Sequence, residues 1–357
     1  LSGSISQYGN SGMSALMRQA VSVLSTQEQS LQLQTSTGVA SDSYAGLGDT
    51  RTQALSLQPA ITQVSAWSAN VTSAQGQLSV TQTALGEIGS IASSLSTTLT
   101  SLSGTPTQST VQTAATQAAQ DLQTLGSLLD TKSGSTYVFA GAQSQTAPVG
   151  AGTDLATGSL ATAISSTVGQ LGTLGADGVL DQTLDLAGST TANDPFSAGL
   201  SVSPQDASKL AATPALGQNQ TMSIGVVATQ GSAASSTSTG SPIRDLMRNL
   251  MVVASLGQTT AGSSSYNDLI SGLTTSTSSV SSNITAMSAS VGVTQNSLTT
   301  HASMLSQMTT SLTTQLGTSK DADLATVSTQ LSSIQDDLQA SYSVIADMKG
   351  MTLADYI

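Results

Sequence analysis

The sequence predicts a mainly α fold: a long antiparallel coiled-coil or helical-bundle rod built from both chain ends, with a small, mostly β outer domain inserted. Three observations carry that prediction. A seven-residue apolar repeat runs through residues 57–102 and returns beyond residue 243. Between about residues 145 and 240, Gly, Pro, Ser and Thr interrupt every pattern. Only 8% of the chain is charged and 3% aromatic, against a usual charged share near ~25%. Thin helices packed along their length suit such a composition, because each has few neighbours.

The first element is an N-terminal assembly helix within residues 1–45. Met17, Leu24 and Leu31 stand seven apart, flanked by Met13, Leu16, Ala20 and Val23. Residues 46–144 hold the first rod helices. With Leu57 as position a, the a row is Leu57, Val64, Val71, Leu78, Leu85, Ala92 and Leu99. The d row is Ala60, Trp67, Ala74, Thr81, Ile88, Leu95 and Leu102, with Thr81 its one polar member. A sustained 3.5-residue spacing marks a face covered by partner helices, and this helix would be on the order of 70 Å long. "SGTPTQS" (Ser103–Ser109) then breaks the helix, since Gly and Pro together turn a chain. Val111, Ala115, Ala118, Leu122, Leu125 and Leu129 form the shorter return stripe.

"STYVFAG" (Ser135–Gly141) ends the helical arm. Tyr137, Val138 and Phe139 are suited to cap the open end of a bundle, and Gly141 to turn the chain into the insert, residues 145–241. Within the insert "TMSIGVVATQ" (Thr221–Gln230) alternates like a half-buried strand. Helix resumes at Ile243, with Leu246, Leu250 and Val253 as its expected buried face. The returning rod, residues 242–317, carries Leu273, Val280, Met287, Thr294, His301 and Met308 in one row. Ile284, Val291, Leu298, Leu305 and Leu312 form the other. Gly317 reads as a stop, and Ser319 or Asp321 as the next N-cap. The final assembly helix, within residues 318–357, has Leu324, Leu331, Leu338 and Ile345 on one row and Val327, Ile334 and Met348 on the other. No other sequence element is left to cover these terminal stripes. The face with Leu331, Leu338 and Ile345 is therefore expected to be buried only against neighbouring chains.

Composition also excludes functions. A net charge of −12 with eight scattered Lys and Arg leaves no basic stripe for nucleic acid and no basic face for anionic lipid. The absence of cysteine removes disulfides, thiol catalysis and thiolate metal sites. The first twenty residues show no basic region followed by an apolar run, so any export is expected to proceed without a cleaved signal peptide. His301, the only histidine, falls on a helix row and reads as a structural residue rather than a catalytic base. Asp177, Asp181 and Asp185 are four apart and read as a solvated face rather than a calcium site. Trp67 reads as bundle core and Asp336-Asp337 as helix surface. With no nucleotide-binding fingerprint in context, no enzyme, cofactor or metal is expected.

Several stretches resemble the bacterial flagellin superfamily. Ser36, Thr37 and Gly38 match the stretch that follows that family's terminal helix, although Ser41-Asp42-Ser43 stands where aspartates and a proline are usual. Asn70 and Leu85 fall at matching points of the rod helix. Near the C-terminus Asp321, Asp323, Leu331, Gln335, Leu338, Gln339, Ala340 and Ser341 match. The Tyr137–Phe139–Gly141 passage and the ending Leu353–Ile357 are most similar to the hook–filament junction branch. The resemblance covers residues 1–145 and 240–357 and implies a structural, extracellular subunit of the flagellum. Such a subunit polymerises in a ring or helical lattice beside another hook-associated protein and flagellin. It reaches its place through the flagellar export apparatus with a chaperone, touching neither nucleic acid nor membrane. The resemblance assigns assembly contacts to Leu16, Met17, Leu24, Leu31, Leu324, Leu331, Leu338 and Ile345, and rod core to Leu57, Val64, Trp67, Val71, Leu78, Leu85, Ile88, Leu298 and Leu305. Filament flagellin itself, or a secreted coiled-coil effector or adhesin, is the alternative.

Overall fold

The computed structural model describes residues 5–150, 153–191, 193–259 and 261–350. The ending Leu353–Ile357 and the side chains of Met13 and Met348 lie outside the described residues. The chain is mainly helical, with two small antiparallel sheets. Its helices in order are α1 (Ile5–Thr37), α2 (Arg51–Leu102), α3 (Gln108–Leu129), α4 (Ser159–Val168), α5 (Leu171–Gly188), α6 (Pro204–Ser208), α7 (Pro242–Ser255), α8 (Ser264–Lys320) and α9 (Leu324–Gly350). The strands are β1 (Lys132–Ser133), β2 (Thr136–Tyr137), β3 (Ala215–Gly217) and β4 (Gln220–Thr221). The fold divides into two compact units, one of residues 1–65 with 306–357, the other of residues 66–305.

In the larger unit the seven-residue pattern becomes core. Val71, Ala74, Leu78, Thr81, Leu85, Ile88, Ala92, Leu95, Leu99 and Leu102 are all buried along α2, while Trp67 is half-buried. Thr81 tolerates this because its hydroxyl donates to the Gln77 carbonyl one turn back, at 2.9 Å. Helix α8 runs antiparallel to α2, with Gln75 bonded to Thr299 and Gln82 to Ser288. Early in α8 burial recurs every three or four residues, at Tyr266, Leu269, Ile270, Leu273, Thr277, Val280 and Ile284. Farther along, up to the end of this unit, Val291, Leu298 and Leu305 are buried, seven apart. The wide spacing marks a helix with few neighbours, and the tight spacing one that is surrounded. Between α2 and α3 the chain turns at Gly104 with φ +84, and Thr107 caps α3 by accepting the Thr110 N–H at 3.2 Å. Val111, Ala114, Ala118, Leu122, Leu125 and Leu129 of α3 are buried.

The mostly β expectation for residues 145–241 is overturned. Its regular structure is mostly helical, α4, α5 (interrupted at Gly175) and α6, with one short hairpin, β3–β4, set in irregular chain. Thr221–Gln230 is not a strand. Only Thr221 pairs, in β4, and Ile224 makes an isolated bridge to Ala212 before the chain turns. The alternation arose because Ile224 and Val226 are both buried, from irregular backbone rather than from a pleated strand. Leu246, Leu250 and Val253, the expected face of α7, are buried, but so is the polar side of the helix. Every residue from Pro242 to Val253 is buried, because α3, α4 and α5 all pack on this helix.

Candidate assembly interface

In the smaller unit α1 and α9 pair antiparallel. Leu31, Val327, Ile334 and Leu338 form its buried centre, with Val21, Leu24, Ala322 and Leu331 against it. Glu28 accepts hydrogen bonds from Gln335 at 3.3 Å and, within α1, from Gln32 at 3.1 Å. A short clasp beyond the helix ends sets the register. Ala40 N–H donates to the Lys320 carbonyl at 2.7 Å, and Ala322 N–H to the Gly38 carbonyl at 2.8 Å. Thr50 adds its hydroxyl to the Ser319 carbonyl at 2.7 Å. Gly38 makes this possible: with φ +70 it ends α1 in the left-handed conformation that a glycine adopts without strain. The Ser36-Thr37-Gly38 motif thus has a local physical role.

Helix α9 opens with a different cap from the one expected. Helix α8 continues through Gly317 to Lys320, so neither Ser319 nor Asp321 starts the next helix. Asp323 does. Its carboxylate accepts from the Thr326 hydroxyl at 2.8 Å and from the Thr326 and Ala325 N–H groups at 3.3 and 3.1 Å. These bonds, the Thr326 hydroxyl foremost, hold its carboxyl below the usual carboxylate range.

The residues named for assembly separate into two sets. Leu31 and Leu338 are buried between the paired helices, and Met17, Leu24, Leu331 and Ile345 are half-buried. The expectation that the Leu338 face meets only neighbouring chains is therefore corrected: α1 of the same chain covers it. The buried residues of α9 are Val327, Ile334 and Leu338, drawn from both expected rows. By contrast Leu16 is 65% exposed and Leu324 48% exposed. Val23 and Tyr342 are also open to solvent. Leu16 and Val23 stand seven apart on α1. Leu324 and Tyr342 are separated by about five full helical turns on α9. Each terminal helix thus keeps one apolar face inward and shows another to water. Leu57 and Val64, on the α2 segment of the same unit, are buried.

At the rod-to-insert junction Phe139 is fully buried, Tyr137 is half-buried under the Lys132 ammonium, and the Phe139 carbonyl accepts the Ala228 N–H at 2.9 Å. Gly141, at φ +59, passes so close to Leu210 that a Cβ there would collide with the Leu210 carbonyl. His301 is more than a row residue. Its Nε2 bonds the Leu216 carbonyl at 2.7 Å, beside Asn70, which donates to the Ala215 carbonyl at 2.8 Å. The two long helices thus hold consecutive carbonyls of β3.

Sequence reasoning missed the polar side of α7. Arg244 and Asp194 form an ion pair at 2.7 Å with both side chains 2% exposed. Arg244 also donates to the Ala187 carbonyl at 3.1 Å and lies over the Phe196 ring. Arg244, Asp245, Arg248 and Asn249 share one side of the helix, the pattern of an ordinary amphipathic helix with a solvated face, so nothing local marked them as buried. Among the described residues no cluster of His, Asp or Glu could hold a metal ion, and no helix is long and apolar enough to cross a membrane. The chain matches no protein-family model and no curated protein sequence.

Proposed function

We propose that this chain is a structural subunit of the bacterial flagellum, of the hook–filament junction type, which polymerises through its terminal helices and adapts hook to filament. One observation supports this most: α1 and α9 pair yet leave Leu16, Val23, Leu324 and Tyr342 uncovered. Exposed apolar rows on paired helices mark a surface for further copies. In this reading the long helices α2 and α8 are the coiled-coil rod that forms the wall of the assembly. The subunit works outside the cell, delivered by the flagellar export apparatus with a chaperone. Its neighbours are copies of itself, a second hook-associated protein and flagellin. It is not an enzyme and uses no cofactor.

Electron microscopy of purified protein added to hook-terminated and filament-terminated flagella tests the reading. Addition at hook ends supports the junction role, and self-propagating filaments support the flagellin alternative. The double variant Leu16→Gln/Leu324→Gln is expected to melt within about 0.5 kcal/mol of wild type, as exposed substitutions usually do, yet fail to add to either end. One observation favours the secreted-effector alternative: the Leu31–Leu338 contact already makes the terminal pair partly self-contained. Ready incorporation of the double variant, or a strictly monomeric wild type at both ends, would select that alternative.

A further inference from the structure

A cavity of about 570 Å³ lies beside α7, lined by residues of α5, α7, α8 and the loop at 236–238. Arg248, only 2% exposed, is one of its lining residues. The Arg248 Nε and Nη2 both donate to the Asn249 side-chain carbonyl, at 3.1 and 2.8 Å, and Nη2 also reaches the Ser276 hydroxyl at 3.2 Å. Asn249 is itself anchored on Ser276 and Thr277, so the guanidinium is held in place. None of these acceptors carries charge. Arg244, one turn earlier, has its carboxylate at 2.7 Å, but among the described residues Arg248 has none within ion-pair distance. The nearby Asp245 is committed elsewhere, to the Ser238 hydroxyl and the Thr239 N–H. Burial pulls the Arg248 guanidinium below its ordinary range, with Asp245 opposing. Its Nη1 donates to no acceptor among the described residues.

Nη1 is not among the buried polar atoms without a partner, so this edge of the guanidinium is open to a small molecule as it is to water. The planar guanidinium edge is shaped for a carboxylate. Asp177 and Asp181, one turn apart on α5 and both exposed, also line the cavity, as does Asp245. A simple anion would meet these carboxylates, and a simple cation would meet Arg248. A molecule carrying both charges satisfies both kinds of lining group. Hydroxyls such as Thr275 and Ser279 complete the lining, and no aromatic ring offers a stacking platform. The volume falls within the ~300–1,000 Å³ typical of small-molecule sites.

We propose that this cavity binds a small zwitterion of the amino-acid class, with its carboxylate on Arg248 Nη1 and its ammonium facing Asp177 and Asp181. The site lies within residues 66–305 and is independent of the assembly reading. Calorimetric titration of the full chain with L-alanine, L-serine, L-lysine and L-glutamate tests it, with acetate and ethylammonium as half-ligands. At least one amino acid is expected to give saturable binding, with both half-ligands at least ~10-fold weaker, a difference of about 1.4 kcal/mol. Arg248→Gln should abolish that binding. Because this variant removes a buried group, Asp177→Asn/Asp181→Asn serves as the second. Its exposed positions should leave the melting curve unchanged while affinity falls at least ~10-fold. No saturable heat from any amino acid would show a cavity that holds only water and would overturn the proposal. Undiminished binding in the double variant, or acetate binding as tightly as the amino acids, would overturn it equally.

Discussion

Helix α7 and the terminal pair α1–α9 invert the ordinary relation between polarity and burial. Helix α7 carries two arginines, an aspartate and an asparagine within six residues, and all four are buried. The terminal helices leave Leu16, Val23, Leu324 and Tyr342 in water. The difference lies in their neighbours. Helix α7 is enclosed by α3, α4 and α5, and Arg244 and Asp194 satisfy one another. Helices α1 and α9 cover only each other's inner face. Enclosure demands that polar groups find partners, whereas pairing alone leaves half of each helix for something else.

The comparison breaks most visibly if one partner of the α7 ion pair is removed. Arg244→Met leaves Asp194 buried without its counter-charge and should cost about 3–5 kcal/mol of the larger unit's stability, read by urea denaturation. A loss below about 1 kcal/mol would mean that solvent reaches the pair. Next in size, Leu338→Ala should cost about 2–3 kcal/mol, seen as faster proteolysis within α9 with the larger unit's transition unmoved. Unchanged protection there would return Leu338 to a purely intermolecular role. His301→Leu should cost about 1–2 kcal/mol by orphaning the Leu216 carbonyl, and it should loosen hydrogen exchange in the β3–β4 hairpin. A stabilising effect would restore the simpler reading of His301 as a row residue.

The smallest effect concerns pH. The folded pKa of Asp323 is depressed, so its contribution is fully present above the unfolded carboxylate value. It is lost as pH falls through the lower folded value. Acidification should therefore fray the first turn of α9, and Asp323→Asn should remove that dependence. Amide exchange at Ala325 and Thr326 between about pH 5 and about pH 2 reads it (an assay range, chosen to span the titration).

The sequence by itself determined the long helices. The rows of α2 within the larger unit, and Val291, Leu298 and Leu305 of α8, are buried as their spacing requires, because a helix fixes which side chains share a face whatever surrounds it. It also determined the break at residues 103–107 and the turn at Gly141, where φ is positive, because local backbone geometry selects Gly. Only the tertiary structure decided how many faces of each helix are covered. Nothing local told α7, enclosed on all sides, from a helix with one apolar face. Nor could spacing tell which members of the two apolar rows of α9 are buried: Val327 and Ile334 come from one row and Leu338 from the other. The clasp of residues 38–40 on 320–322 made that choice by fixing the register of α9 against α1. The fold of the insert escaped for a related reason: Met222, Ile224 and Val226 alternate as a strand would. Whether such a stretch becomes a strand depends on partners distant in sequence, and long-range packing outweighs a short local pattern.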